Sequence, residues 1–185
     1  MTSGDFAIGL STIITGLALT VMLANIHGLL VNRRKVRWDW LTLIAATFVF
    51  MLIVGSWGVS FRLLGNRQIN PPLWQFLIMI GDLVPMYLAA RAIFPDYLTD
   101  EGVNLAAHYA EISRYLWASI AISYLLYLGF MLSKLGADQK LGLVALQLLV
   151  VVPLVFVRSR RVHAVLVPLL TLLFCFHHLN ERLFA

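Results

Sequence analysis

Charge is scarce in this chain. Asp, Glu, Lys and Arg make up 12% of its 185 residues, about half the share of a soluble domain. A globule of this length could not cover its surface with so few charges. Cysteine is scarcer still: Cys175 stands alone, which excludes a disulfide scaffold. Low-complexity tracts are missing, and no polar stretch is long enough to hold a soluble domain. The same poverty of polar residues excludes disorder. No phosphate-cradling glycine loop and no nucleophile–base motif is present, so hydrolase chemistry has no support.

What fills the chain instead is apolar. Hydrophobic residues make up 61% and the mean hydropathy is +0.86. A spanning helix needs roughly 20 mostly apolar residues. Six stretches qualify: 6–31, 40–61, 73–94, 113–132, 141–157 and 162–179. They are continuously apolar, whereas a barrel strand would alternate over about 10 residues. The expected fold is therefore all-α, a single membrane domain of six transmembrane helices. The first stretch reads as a retained helix, because Asp5 precedes it without a Lys or Arg and no small-residue cleavage site follows.

Basic residues sort by side. Arg33, Arg34, Lys35, Arg37, Arg91, Arg114, Arg158, Arg160 and Arg161 share one face of a six-span arrangement. Arg62, Arg67, Lys134, Lys140 and Arg182 occupy the other. The richer side is expected in the cytoplasm, which puts both termini outside. The net charge of +5 thus reads as topology, with anionic lipid headgroups as partners of the basic loops and no role for nucleic acid. Trp38, Trp40 and Trp117 would mark the inner interface and Trp74 the outer one, unless some pack inside the bundle.

Lipid tails are as apolar as Leu, so helices must associate through close contact and interhelical hydrogen bonds. On span one Thr12, Gly16, Thr20, Ala24 and Gly28 recur at every fourth residue. They form a small-residue stripe for packing, expected against another span of the chain rather than a second copy or a complex partner. Pro85, Pro153 and Pro168 fall inside spans, where each removes a backbone donor.

Asp82 is the most informative residue. It sits mid-way along span three, where an ionised carboxylate costs about 2.5–3.5 kcal/mol on insertion scales. Gln75 lies seven residues earlier on the same face. Span four carries Tyr115, Ser119, Ser123 and Tyr127 at steps of four, while Ser56, Ser60 and Gln147 add polar groups on spans two and five. One reading is a polar interior in which Asp82, Gln75, Ser119, Ser123 and Gln147 bind or pass a small solute, ion or proton. The other is a protonated Asp82 making one structural hydrogen bond, with serines bonded to their own helix.

Other constellations are thinner. Cys175, His177, His178 and Glu181 have spacings that a metal could use, but they stand without a second cluster. His27 and His163 both lie near the inner ends of their spans and are the pair a membrane haem would need. No cofactor is expected. The stretch from Pro95 to Glu111 holds Asp96, Asp100, Glu101 and Glu111, with Thr99 or Asp100 as cap of a short helix leading into span four. It could lie against the basic turns or stay solvated.

The segments Gly16-Leu17-Ala18-Leu19-Thr20, Arg33-Arg34, Asp39-Trp40 and Phe94-Pro95-Asp96, in this order, resemble those of uncharacterised bacterial six-span inner-membrane proteins. The resemblance implies an inner-membrane location and a bacterial origin, and no particular activity. Three functions remain open: a solute, ion or proton site at Asp82; an accessory, assembly or sensory subunit of a membrane complex; and a haem-holding redox protein.

Overall fold

The computed structural model describes residues 3–65, 73–96, 102–135 and 139–183. Within them the chain is helical, in six helices: α1 (Ser3–Val31), α2 (Trp40–Gly65), α3 (Leu73–Ala92), α4 (Leu105–Leu135), α5 (Gln139–Phe156) and α6 (Arg160–Leu183). Among the described residues three segments are long and apolar enough to cross a membrane: Phe6–Val31, Trp40–Arg62 and Leu105–Leu132. The apolar part of α5, Leu141–Phe156, is shorter. The helices pack in a closed ring, in the order α1, α3, α4, α5, α6, α2 and back to α1. Helix α2 also reaches inward to α3 and α4. Its Phe48 lies 6.0 Å from the Trp117 ring of α4 and 5.9 Å from the Phe174 ring of α6.

Two helix starts at the basic end have a polar cause. Asp39 caps α2: its Oδ2 accepts from the Thr42 backbone N–H at 3.1 Å and the Thr42 hydroxyl at 2.9 Å. Asn104 caps α4, its Oδ1 accepting from Ala106 N–H at 3.1 Å and Ala107 N–H at 3.4 Å. Helix α4 therefore begins at Leu105, eight residues before the expected start of span four. His108, Glu111 and Arg114 lower the local hydropathy but do not end the helix. Thr99, Asp100 and Glu101 lie outside the described residues.

Two short strands tie the long connection to the first one. β1 (Val36–Arg37) pairs in parallel with β2 (Val103–Asn104), Val36 opposite Val103. Gly102 turns the chain into β2 at φ 90°, and a Cβ there would run into the Lys35 carbonyl oxygen. Only glycine fits that approach. The connection thus does lie against the Arg33–Arg37 turn, but through backbone. Of its acids, Asp96 pairs instead with Arg91 at 3.1 Å, and Glu111 is exposed.

The small stripe of α1 needs correction. Thr12, Gly16, Thr20 and Ala24 are exposed and Gly28 is half-buried. The buried face is Ala7, Ser11, Thr15, Ala18, Met22 and Leu29. The reason is angular. At about 100° per residue, Thr12 stands roughly a quarter turn past the buried Ser11, and the next members of the stripe lie further round, away from the buried face. An internal partner for the stripe is not what the fold provides. Trp117 is also corrected: it is fully buried, while Trp38, Trp40 and Trp74 are exposed.

Candidate functional site

Asp82 points into the ring, 7% exposed. Its Oδ1 accepts the Ser123 hydroxyl of α4 at 2.5 Å, and its Oδ2 accepts the Ser56 hydroxyl of α2 at 3.2 Å. The carboxyl thereby joins three helices. Pro85, one turn later, supplies no N–H, so the Gly81 carbonyl beside Asp82 loses its intrahelical donor.

Two cavities meet at this carboxyl. The larger encloses about 60 Å³ and is bounded by Ser56 and Gly55 of α2, Asp82 and Met86 of α3, and Ser123 and Tyr124 of α4. Gln147 of α5 and Phe174 of α6 complete its wall. The smaller, about 20 Å³, runs from Asp82 and Ser56 past Ser60, Met79 and Phe130. Tyr127 borders both. Every helix but α1 contributes, and among the described residues no Lys, Arg or His lines either space. Tyr124 is 5% exposed, yet its hydroxyl has no hydrogen-bond partner among the described residues. Gln147, 4% exposed, also makes no side-chain hydrogen bond there.

The sequence-predicted set is thus brought together in part. Asp82, Ser123 and Gln147 share the larger cavity. Ser119 does not: its hydroxyl bonds back to the Tyr115 carbonyl at 3.0 Å, and Tyr115 is exposed. Ser119 is buried one turn along α4 from Ser123, but it lies outside the lining of both cavities. The Gln75 side chain lies outside the described residues. Ser56 and Ser60 join the site, and Tyr124 was missed. Its signal would have been its place between Ser123 and Tyr127 on the inward arc.

A second polar centre sits at the basic end. His163 Nε2 donates to the Val157 carbonyl at 2.8 Å, which leaves Nδ1 as the acceptor for the Tyr109 hydroxyl at 2.9 Å. The Tyr109 oxygen in turn accepts from Trp117 Nε1 at 2.9 Å. The chain of bonds fixes the tautomer. Beside it Arg160 pairs with Asp39, and the Thr42 hydroxyl also lies 3.2 Å from the Leu105 carbonyl. Burial alone would push the Asp39 carboxyl up. The hydrogen bonds from Arg160 and Thr42, and the Arg160 charge, outweigh it and hold the carboxyl below its ordinary value.

Both ring nitrogens of His163 are therefore engaged within the protein, and His27 is exposed on α1. This pair offers no matched axial ligands in the fold. Among the described residues no three His, Cys, Asp or Glu side chains gather as a metal site. The side chains of His177, His178 and Glu181 lie outside the described residues, and the Cys175 thiol faces Met51 sulfur at 3.7 Å.

No protein-family model, curated protein or solved structure matches this chain.

Proposed function

We propose that the chain is a six-span protein of a bacterial inner membrane whose interior binds or passes a small solute, ion or proton at Asp82. The observation that carries this reading is a buried carboxyl with no cation beside it among the described residues, set on the wall of a cavity that also presents an unpartnered tyrosine hydroxyl. A purely structural acid would be closed in by its partners, because leaving polar groups unpaired next to empty space is costly. Six crossings are supported by the outward faces of the helices beyond the three long apolar ones. Leu77, Val84 and Leu88 of α3 are exposed, as are Leu146, Leu149 and Val152 of α5 and Val165, Leu169 and Leu172 of α6. Such stripes fit lipid better than water. The basic residues Arg33, Arg34, Lys35, Arg158 and Arg161 are exposed at one end, where anionic headgroups would meet them in the cytoplasmic leaflet. Both termini then lie outside.

A second reading has its own observation. The outward stripe on α1 leaves open space at Gly16 and Gly28, where nothing lies within 4 Å of an added Cβ. A second copy or a membrane-complex partner could pack there, as an accessory, assembly or sensory subunit would require. Liposomes separate the two. Those carrying the wild-type chain should dissipate an imposed proton or monovalent-cation gradient faster than empty ones, and Asp82→Asn should return the rate to the empty value. A wild-type rate equal to empty liposomes, with a stoichiometric partner that co-purifies with Asp82→Asn as well, would favour the subunit.

A further inference from the structure

The cavity beside Asp82 has a chemical signature that narrows its occupant. Both carboxyl oxygens accept hydrogen bonds from hydroxyl groups, from Ser123 and Ser56, and among the described residues neither faces a basic side chain. That is the pattern of a carboxylate whose counter-charge comes from outside the chain. A proton alone would need no room. Yet the space measures about 60 Å³, and a water needs about 10–15 Å³ on the same measure. That is room for about four or five water-sized groups.

The wall is not built for a bare or hydrated metal cation. Leu52, Val59, Met86 and Val144 cover much of it, and these side chains cannot replace a hydration shell. Tyr124, Tyr127 and Phe174 add aromatic rings, which attract organic cations through their negative faces. Two neutral polar groups complete the set. The Tyr124 hydroxyl has no partner among the described residues, and the Gln147 amide can both donate and accept.

Resting on the reading of Asp82 as a binding centre, we infer that the larger cavity is a site for a small organic ammonium. It would take a primary amine in its charged form, carrying an alkyl body of about three or four carbons. The ammonium group meets the Asp82 carboxylate and the Gln147 carbonyl oxygen. The alkyl body lies against the valine, leucine and aromatic wall. The Tyr124 hydroxyl donates to any acceptor the ligand carries, or to a water that enters with it.

The test uses the full chain in detergent or nanodiscs, with n-propylammonium as the probe. Calorimetry should show saturable binding. Neutral n-propanol, of the same size, should bind at least tenfold more weakly, a difference of about 1.4 kcal/mol. Tetrabutylammonium, too large for the cavity, should not compete. Asp82→Asn should weaken propylammonium at least tenfold, and Gln147→Leu several-fold, with thermal unfolding showing that both variants fold. Equal binding of propanol and propylammonium would overturn the inference, as would binding that Asp82→Asn leaves unchanged. An Asp82-dependent response to protons or Na⁺ without any propylammonium binding would overturn the ammonium site and leave the broader reading standing. No Asp82-dependent response to any of these probes would overturn both.

Discussion

Asp39 and Asp82 are equally hidden, 6% and 7% exposed, and they are hidden in opposite ways. Asp39 has its cation beside it in Arg160, and it caps a helix through Thr42. The neighbouring Tyr109, Trp117 and His163 spend their donors and acceptors on one another and on the Val157 carbonyl. Among the described residues, Asp82 has two hydroxyls, no cation and two cavities. A closed polar cluster holds helices in register. On the proposed reading, a cluster with an unpaired hydroxyl and open volume is prepared for something that arrives. Under that proposal it is not burial but the completeness of its partners that separates a structural acid from a binding one.

The sharpest way to break this contrast is at Asp39. Asp39→Ala removes the α2 cap and leaves Arg160 without its acid. The cap is worth about 1 kcal/mol and a hydrogen bond to a charged group about 1.5–3 kcal/mol. Arg160 is half exposed, so water recovers part of the pair. The expected loss is about 2–4 kcal/mol, read as a fall in the unfolding midpoint in detergent. A loss under about 0.5 kcal/mol, the level of an unremarkable surface change, would mean that the cluster is not the staple described.

Tyr109→Phe comes next. It strands the Trp117 N–H and takes the donor from His163 Nδ1, in a place where Trp117 is fully buried. Unsatisfied buried groups cost about 1–3 kcal/mol. His163→Phe should cost a similar amount, and the double variant should cost less than the sum, since both delete one shared bond. Full additivity would show that the tyrosine and histidine do not act together.

Acid should act on the two regions unequally. The Asp39 carboxyl titrates lower in the fold than in the unfolded chain. Its stability contribution is therefore complete above the unfolded value, near about pH 3.9. It is lost as pH falls through the folded value, when the proton breaks the pairing with Arg160. The unfolding midpoint of wild type should drop over that acid range. Asp39→Asn should start lower and lose less on acidification, because it has no proton to take up at this position. Parallel acid limbs would assign the loss to other carboxyls.

Much of this fold is legible in the amino-acid order. The six apolar stretches correspond to six helices, because runs of apolar residues near the length of a bilayer leave little else to form. Asp82, Ser123 and Gln147 are legible as a set because polar side chains inside apolar helices seek one another. What fails is the choice of face and of partner. Even spacing of Thr12, Gly16 and Thr20 does not say which side of α1 is buried, and the bundle covers Ser11, Thr15 and Ala18 instead. Ser119 on α4 is buried, yet it spends its hydroxyl on the Tyr115 carbonyl. The Asp39–Arg160 pair spans 121 positions, so only the ring order of the helices could join them. Tyr124 looks like one more apolar ring in span four. Its importance comes from a missing partner, which is a property of three-dimensional neighbours and not of the residue itself.

The smallest expected change in stability belongs to Asp82→Asn, and it sharpens the comparison most. Asparagine has the shape of aspartate. Its carbonyl oxygen can still accept from Ser123, and its amide can donate to the Ser56 oxygen. The three-helix junction keeps two hydrogen bonds and sheds a charge that the fold does not neutralise. Stability should therefore move by less than about 1 kcal/mol, in either direction. Asp39→Asn, at the same burial, should lose more, because its charge has a partner to lose. If Asp82→Asn instead unfolds the protein as readily as Asp39→Ala does, then Asp82 is a latch across α2, α3 and α4. The cavity would then be a packing defect, and the open polar groups around it would carry no message about ligand. If the fold survives and only binding or flux disappears, the carboxylate is held in the membrane for what it meets there.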